Sequence, residues 1–285
     1  MKTALRLMCV LAHPDDESLG VGGTLAKYAS EGIEIELVTA TRGERGWAGP
    51  AEDNPGLDGL GQIRTAELLA AARVLGLKQV SFLNYIDGDL DQAQPAEAIG
   101  KIVAHLRRFR PHVVLTFGPD GAYGHPDHIA ISQFTTAAIV AAAQPAYTDL
   151  QHLPPHAVSK LYYLTISQTR AKEYIAMFGD LGMDVDGVRR QGVAWNDWAI
   201  TTWIDTALHW QKVWQAIECH RSQISPELLA GMTEAQRRSL ASVEMYYRVF
   251  SLVNSGRAME SDLFEGLRAG ETPAAKEEIS HALKA

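Results

Sequence analysis

Two short segments concentrate the side chains that could do chemistry: His13-Pro14-Asp15-Asp16-Glu17 and His125-Pro126-Asp127-His128. Imidazole and carboxylate are donors that suit zinc, and a catalytic zinc site takes three protein ligands and one open position. Water bound there approaches a pKa of about 7 and becomes a usable nucleophile. The two segments hold more acids and imidazoles than three ligands require. Hydrolysis needs that surplus: a carboxylate to take a proton from water, an imidazole to protonate a leaving amine, and a donor to steady an oxyanion. Either segment alone is modest, because an Asp-Asp-Glu run in a loop is usually just solvated and a His pair three apart can be a surface coincidence. The question is whether the fold brings them together.

The apolar runs answer it. Leu5–Ala12 is short and bounded by Pro14, which predicts a buried strand; Ile33–Ala40 alternates and is rich in β-branched residues, which predicts a second. Gln79–Tyr85, His112–Phe117 and Lys160–Ser167 read as three more. Helical patterns separate them over Thr24–Ser30, Gln62–Leu75 with Gly76 as its cap, Pro95–Arg110 and Ile129–Ala143. This alternation predicts an α/β fold, a mostly parallel sheet with helices on both faces. In the doubly wound order 3-2-1-4-5, strands one and four are neighbours, and the working crevice lies at their carboxyl ends. Each chemical segment directly follows, or lies in the loop after, one of those two strands.

The rest of the chain is less legible. Residues 42–61 hold six glycines and two prolines and read as a long loop, of the kind that is usually functional or mobile. Beyond Ser167 the expectations are a short strand at Trp203–Ile204, a helix over Ala207–Arg221, and a strand or irregular segment over Ser239–Leu252. Residues 270–285 are polar and expected to fray. Chain 1–285 is expected to form a single domain.

Composition narrows the function. The chain has 285 residues, 46% hydrophobic and 21% charged, with net charge -8, which counts against a nucleic-acid partner. Cys9 and Cys219 are too few for a disulfide framework or a cysteine zinc site. The early apolar run passes straight into His13 without a cleavage site, so it reads as a strand and not a signal peptide. No apolar stretch is long enough for a transmembrane helix. A cytoplasmic enzyme acting on a small molecule is expected, with its assembly state, homo-oligomer included, left open.

At these residues the sequence resembles the PIG-L/LmbE family of zinc N-deacetylases. Ala12–Glu17 matches the first family motif and His125–His128 the second. Weaker agreement appears in Thr41-Arg42-Gly43-Glu44, in Arg64 and Glu67 leading to Leu75-Gly76, and in His220 with Gln223. The resemblance implies a Rossmann-like three-layer sandwich and zinc held by His13, Asp16 and His128, a set that also suits iron(II) in the cell. It implies Asp15 as general base and His125 as general acid or oxyanion donor. Asp127 would orient an imidazole, and Tyr123 would polarise the amide carbonyl. Arg64, Glu44 and His220 would serve the substrate, while Glu17 would be structural through bonds to nearby backbone. The reaction implied is removal of an N-acetyl group from an N-acetylglucosamine-containing small molecule. The runner-up is an amidase that cleaves a larger acyl group from a glucosaminyl thiol conjugate.

Blander readings stand beside these. Tyr123 could be packing, Arg64 an ion-paired helix residue, Glu44 loop surface, and His220 a partner of a helix dipole. A nucleotide-binding oxidoreductase is disfavoured, since Gly20-Val21-Gly22-Gly23 is not G-x-G-x-x-G and strand two ends without an acid for a ribose. A non-haem iron oxygenase shares the ligand types, but Asp15 beside Asp16 favours hydrolysis. Nothing supports a silent sugar-binding module, because the full catalytic set is present.

Overall fold

The computed structural model describes residues 4–148, 151–179, 182–185, 187–224, 230–256 and 258–268. The polar end expected over 270–285 lies outside them. The chain begins β1 (Arg6–Leu11), α1 (Asp16–Ser30), β2 (Glu34–Thr39), α2 (Gly56–Leu75), β3 (Gln79–Phe82), α3 (Pro95–Phe109) and β4 (Val113–Phe117). A single turn, α4 (Gly121–Gly124), precedes α5 (Pro126–Ala143), β5 (Lys160–Thr165) and α6 (Gln168–Phe178). Then come the hairpin strands β6 (Met183–Val185) and β7 (Val188–Arg190), followed by β8 (Thr202–Asp205), α7 (Trp210–Ile217), α8 (Glu234–Leu240) and β9 (Val243–Ser251).

Seven strands form one sheet in the order β3-β2-β1-β4-β5-β9-β8. The first five are parallel and in the expected order; β9 and β8 extend the sheet antiparallel. Leu7 through Leu11 and Val113 through Leu115 are wholly buried, as continuous apolar runs must be when helices cover both faces. Leu7 pairs with Val113 and Cys9 with Leu115, so β1 and β4 end side by side. Helices α1, α2 and α7 pack together, as do α3 and α5. Right-handed crossovers put these groups on opposite faces.

Three helices begin earlier than their sequence patterns predict, each for a physical reason. Helix α1 starts at Asp16, not Thr24, and is kinked at Val21. Its glycines look like a loop signal, yet Gly23 lies so close to Thr206 that a Cβ would come within 2.5 Å of that side chain. Helix α2 starts at Gly56, not Gln62, because Leu60, Arg64, Leu68, Ala71 and Leu75 continue one buried stripe backwards. Gly61 supplies the room for Glu44 and Arg42 to pack against it. Helix α5 starts at Pro126, not Ile129, with proline in the first turn, where its missing N–H costs nothing. Helix α6 and the β6–β7 hairpin have no counterpart in the sequence reading.

The antiparallel extension is fastened by a buried carboxylate. Glu260 accepts from Lys160 Nζ at 2.7 Å, Tyr162 OH at 2.7 Å, Asn254 Nδ2 at 2.7 Å and Thr202 Oγ1 at 3.1 Å. Lys160 and Glu260 are 0% and 1% exposed, so neither charge has solvent as an alternative partner.

Candidate active site

The carboxyl end of β1 leads directly into His13, and the loop after β4 leads through α4 into His125. His128 sits on the first full turn of α5. Helix capping shapes both segments. His125 is the N-cap of α5, and its Nδ1 accepts the Asp127 N–H at 3.1 Å. In a neutral ring the proton is then on Nε2. Asp15 is the N-cap of α1, at a φ of 107° that a non-glycine residue rarely adopts.

Two ring nitrogens meet at the centre: His13 Nδ1 and His128 Nε2 are 3.1 Å apart. Asp16 adds Oδ1 at 3.5 Å from His128 Nε2 and Oδ2 at 3.9 Å from His13 Nδ1. Its Oδ2 is itself fixed by the N–H groups of Ala12 and His13, at 3.1 and 2.8 Å. The opposite ring nitrogens are already engaged. His128 Nδ1 lies 3.2 Å from the Gly121 carbonyl oxygen, which can only accept. His13 Nε2 lies 3.0 Å from Asp87 Oδ1 and 3.1 Å from Asp127 Oδ2. Asp127 is wholly buried and receives the N–H groups of Gly88 at 2.7 Å and Leu90 at 3.1 Å.

These partners fix both tautomers and turn two lone pairs toward each other beside a carboxylate. With both rings neutral that arrangement is repulsive unless a cation, a proton or a metal ion, lies between them. Two zinc bonds meeting at a tetrahedral angle would put their donors roughly 3.3 Å apart, close to the spacing found. The site therefore fits a metal ion. His125 is also near, its ring nitrogen within 4.8 Å of those of His13 and His128, and His13, Asp87 and Asp127 form a second such group.

The electrostatics agree. Burial alone would lower His13, but hydrogen bonds to Asp127 and Asp87 and the charge of Asp16 outweigh it and raise its pKa to about 10. Burial raises the Asp16 carboxyl to about 7. Burial also opposes ionisation of Asp87, yet the His13 hydrogen bond and charge bring it down to about 2. His128 is held well below the usual imidazole range by burial and by His13 and His125. A nest of carboxylates around these rings favours a positive charge at its centre.

A cleft of about 250 Å³ opens over this cluster, lined by His13, Asp15, Asp16, Arg64, Asp87, Tyr123, His125 and Gln223 among others. Tyr123 stands edge-on to His125 and His128, with ring centroids 5.9 and 5.1 Å away. Phe117 stacks on His128 at 3.9 Å. Met183, Asp184 and Val185 of the β6–β7 hairpin form part of the wall.

Sequence-predicted site residues divide here. His13, Asp15, Asp16, Tyr123 and His125 meet at the cleft, with His128 and Asp127 buried behind it. Arg64 lines the cleft, but its guanidinium is held by protein: Nη1 donates to the Gly43 carbonyl at 2.9 Å, and Nη2 to the Pro14 carbonyl at 2.6 Å and Asp15 Oδ2 at 3.2 Å. Glu44 does not line it; its Oε2 accepts the N–H groups of Arg42 and Asp87, each at 3.2 Å. His220 is wholly buried, with Nε2 2.7 Å from Glu17 Oε1. Burial lowers His220, but hydrogen bonding and charge from Glu17 raise it overall. Asp127, expected to orient an imidazole, lies with Oδ2 3.1 Å from His13 Nε2. Asp87 is the residue the sequence reading missed; its position before Gly88, just past another strand's carboxyl end, was the available signal.

Known proteins are similar to this chain. A family model described as GlcNAc-PI de-N-acetylase, PIG-L, matches residues 8–139, which take in both chemical segments. A 1D-myo-inositol 2-acetamido-2-deoxy-alpha-D-glucopyranoside deacetylase of Rhodococcus jostii is 33% identical over 92% of this chain and 98% of its own. The chain belongs to the PIG-L family. A PIG-L relative of the same name from Rhodococcus erythropolis is 40% identical over 62% of this chain and 67% of its own. Among solved structures, the N,N'-diacetylchitobiose deacetylase of Pyrococcus horikoshii aligns with a TM-score of 0.66 at 22% identity, over 87% of this chain and 85% of that one. That last likeness is one of fold. Among the described residues, no helix of this PIG-L protein is long and apolar enough to cross a membrane.

Proposed function

We propose that this chain is a zinc-dependent hydrolase that removes the acetyl group from an N-acetylglucosamine-containing small molecule, with an inositol glycoside as the first candidate. The observation that carries the reading is the pair of facing imidazole lone pairs, His13 Nδ1 and His128 Nε2, beside the Asp16 carboxylate. The substrate class comes from the relatives with which the chain shares most of its length.

His13, Asp16 and His128 hold the metal in this reading. Asp16 is preferred to His125 as the third ligand because His125 Nδ1 already accepts the Asp127 N–H, leaving its Nε2 a donor. Bound zinc supplies Lewis acidity and lowers the pKa of a coordinated water. Asp15, raised by burial and half enclosed at the cleft, takes the proton from the attacking water. The Nε2–H of His125 donates to the oxygen that becomes negative, and Asp15 passes the proton it took from water to the departing amine. Tyr123, facing the same cleft, donates its hydroxyl to the oxygen that becomes negative. Asp127 and Asp87 hold His13 in the tautomer that points Nδ1 at the metal. One domain carries all of these groups.

A second reading, an amidase that releases a larger acyl group, is favoured by one observation. An apolar cavity of about 390 Å³, bounded by Leu19, Leu164, Tyr174, Trp214 and Ile217, reaches Phe117, the ring that stacks on His128. The deciding experiment is amine release from inositol glucosaminides bearing acetyl or longer acyl groups, before and after chelation and zinc restoration. Chelator-sensitive release from the acetyl compound supports the first reading; release confined to longer acyl groups supports the second. No release from any compound by metal-loaded protein refutes both.

A further inference from the structure

We propose that Glu17 and His220 are positioning residues that hold Asp15 in the backbone conformation its chemistry requires. The inference rests on the general-base reading of Asp15 given above. Asp15 adopts φ 107° and ψ -27°, a left-handed conformation that an L side chain disfavours and that must be over-determined by its surroundings. Those surroundings are specific. Glu17 Oε2 accepts the Asp15 N–H at 3.0 Å. Its other oxygen, Oε1, is taken by His220 Nε2 at 2.7 Å and by the Ser18 hydroxyl. Glu17 and His220 are both 0% exposed. A buried carboxylate needs donors on both oxygens; for Glu17 Oε2 the donor is the residue it positions, and for Oε1 the donors are the neighbouring Ser18 and His220, 203 positions away in the chain.

His220 is held in turn. It follows α7, which packs on α1 and α2. Two residues on, Ser222 gives its N–H and hydroxyl to Glu67 of α2 at 2.8 and 2.7 Å. Gln223 Nε2 donates to the Gly46 carbonyl at 2.7 Å. The segment 220–223 is thus tied to the two elements that flank the cleft, and the tie ends on the Asp15 amide. Arg64 grips the same residue from the other side, through the Pro14 carbonyl and the Asp15 carboxylate. Neither Glu17 nor His220 lines the cleft. Their effect on reaction must pass through Asp15.

The test uses full-length, metal-loaded protein and the acetyl inositol glucosaminide. His220→Gln is expected to keep its metal content and KM while kcat falls on the order of 10²-fold, the loss that small misplacement of a catalytic group produces. In an Asp15→Ala background the same change is expected to cost little, because the residue it positions is gone. A crystal structure of the loaded His220→Gln protein should show Asp15 released from its left-handed conformation. Glu17→Gln is the second variant, with the same expectations, should His220→Gln not fold. Wild-type kcat in either folded variant, or an equal loss with and without Asp15, overturns the proposal. Wild-type turnover by Asp15→Ala alone overturns the base reading instead, so the two failures are distinguishable.

Discussion

His13 Nδ1 and His128 Nε2 face each other across 3.1 Å, each on a ring whose other nitrogen is bonded to an acceptor. With both rings neutral, neither has a proton to offer the other. A cation relieves this repulsion, so the metal should stabilise the folded chain as well as activate water. Stripping the metal is expected to lower the melting temperature and abolish amine release, with both restored by zinc. At a free metal concentration about 100 times the dissociation constant, the stabilisation is about 2.7 kcal/mol. His128→Ala should bind zinc far more weakly; unchanged occupancy by elemental analysis would remove His128 from the ligand set.

Asp15 is proposed as the base and not as a ligand, and the two roles separate experimentally. Asp15→Asn should retain stoichiometric metal and lose turnover by about 10²–10⁴-fold, the range for a positioned acid or base. Loss of metal together with activity would place Asp15 among the ligands.

Tyr123 stands at the cleft with its ring edge-on to His125 and His128. Removing only its hydroxyl tests the oxyanion role without emptying the packing. Tyr123→Phe is expected to slow kcat about 10²-fold, as for loss of one oxyanion donor. An unchanged rate would return the residue to packing.

Glu260 offers a prediction about stability and acid. Burial opposes its ionisation, but hydrogen bonds from Lys160, Asn254 and Tyr162 outweigh that and hold its pKa below the usual glutamate value. A depressed folded-state pKa contributes stability above the unfolded value, and that contribution is lost as pH falls through the folded value. Glu260→Gln leaves Lys160 buried without a counter-charge, and should cost about 3–5 kcal/mol at neutral pH. The gap between variant and parent melting temperatures should narrow below about pH 4.5. A gap that stays constant into acid would show that Glu260 acts by packing alone.

The central sheet and the residues at its switch point could be read from the sequence because both are local signals. Buried parallel strands are continuous apolar runs, and the two chemical segments sit directly beyond two of them. The edges were harder. Strand β9, Val243–Ser251, alternates poorly and is only partly buried, so its antiparallel place beside β5 depends on contacts made 80 or more residues away in the chain. The glycines of α1 and α2 mimic loop composition but serve close approach to Thr206 and Glu44. Arg64, Glu44 and His220 were recognisable as unusual residues, yet their partners are backbone groups and a buried acid that only the folded chain brings near. Asp87 shows the converse: a residue with no motif around it becomes a partner of His13 through the position of β3.

The positions of the groups along the chain also set the order in which they are synthesised. Every donor proposed for the metal lies between residues 13 and 128, whereas the residue bonded to Glu17 waits until position 220. At about 5–20 residues per second, a chain emerging from the ribosome has its whole donor set for several seconds before His220 is made. The residues proposed to hold the ion are therefore made before the residue proposed to fix Asp15.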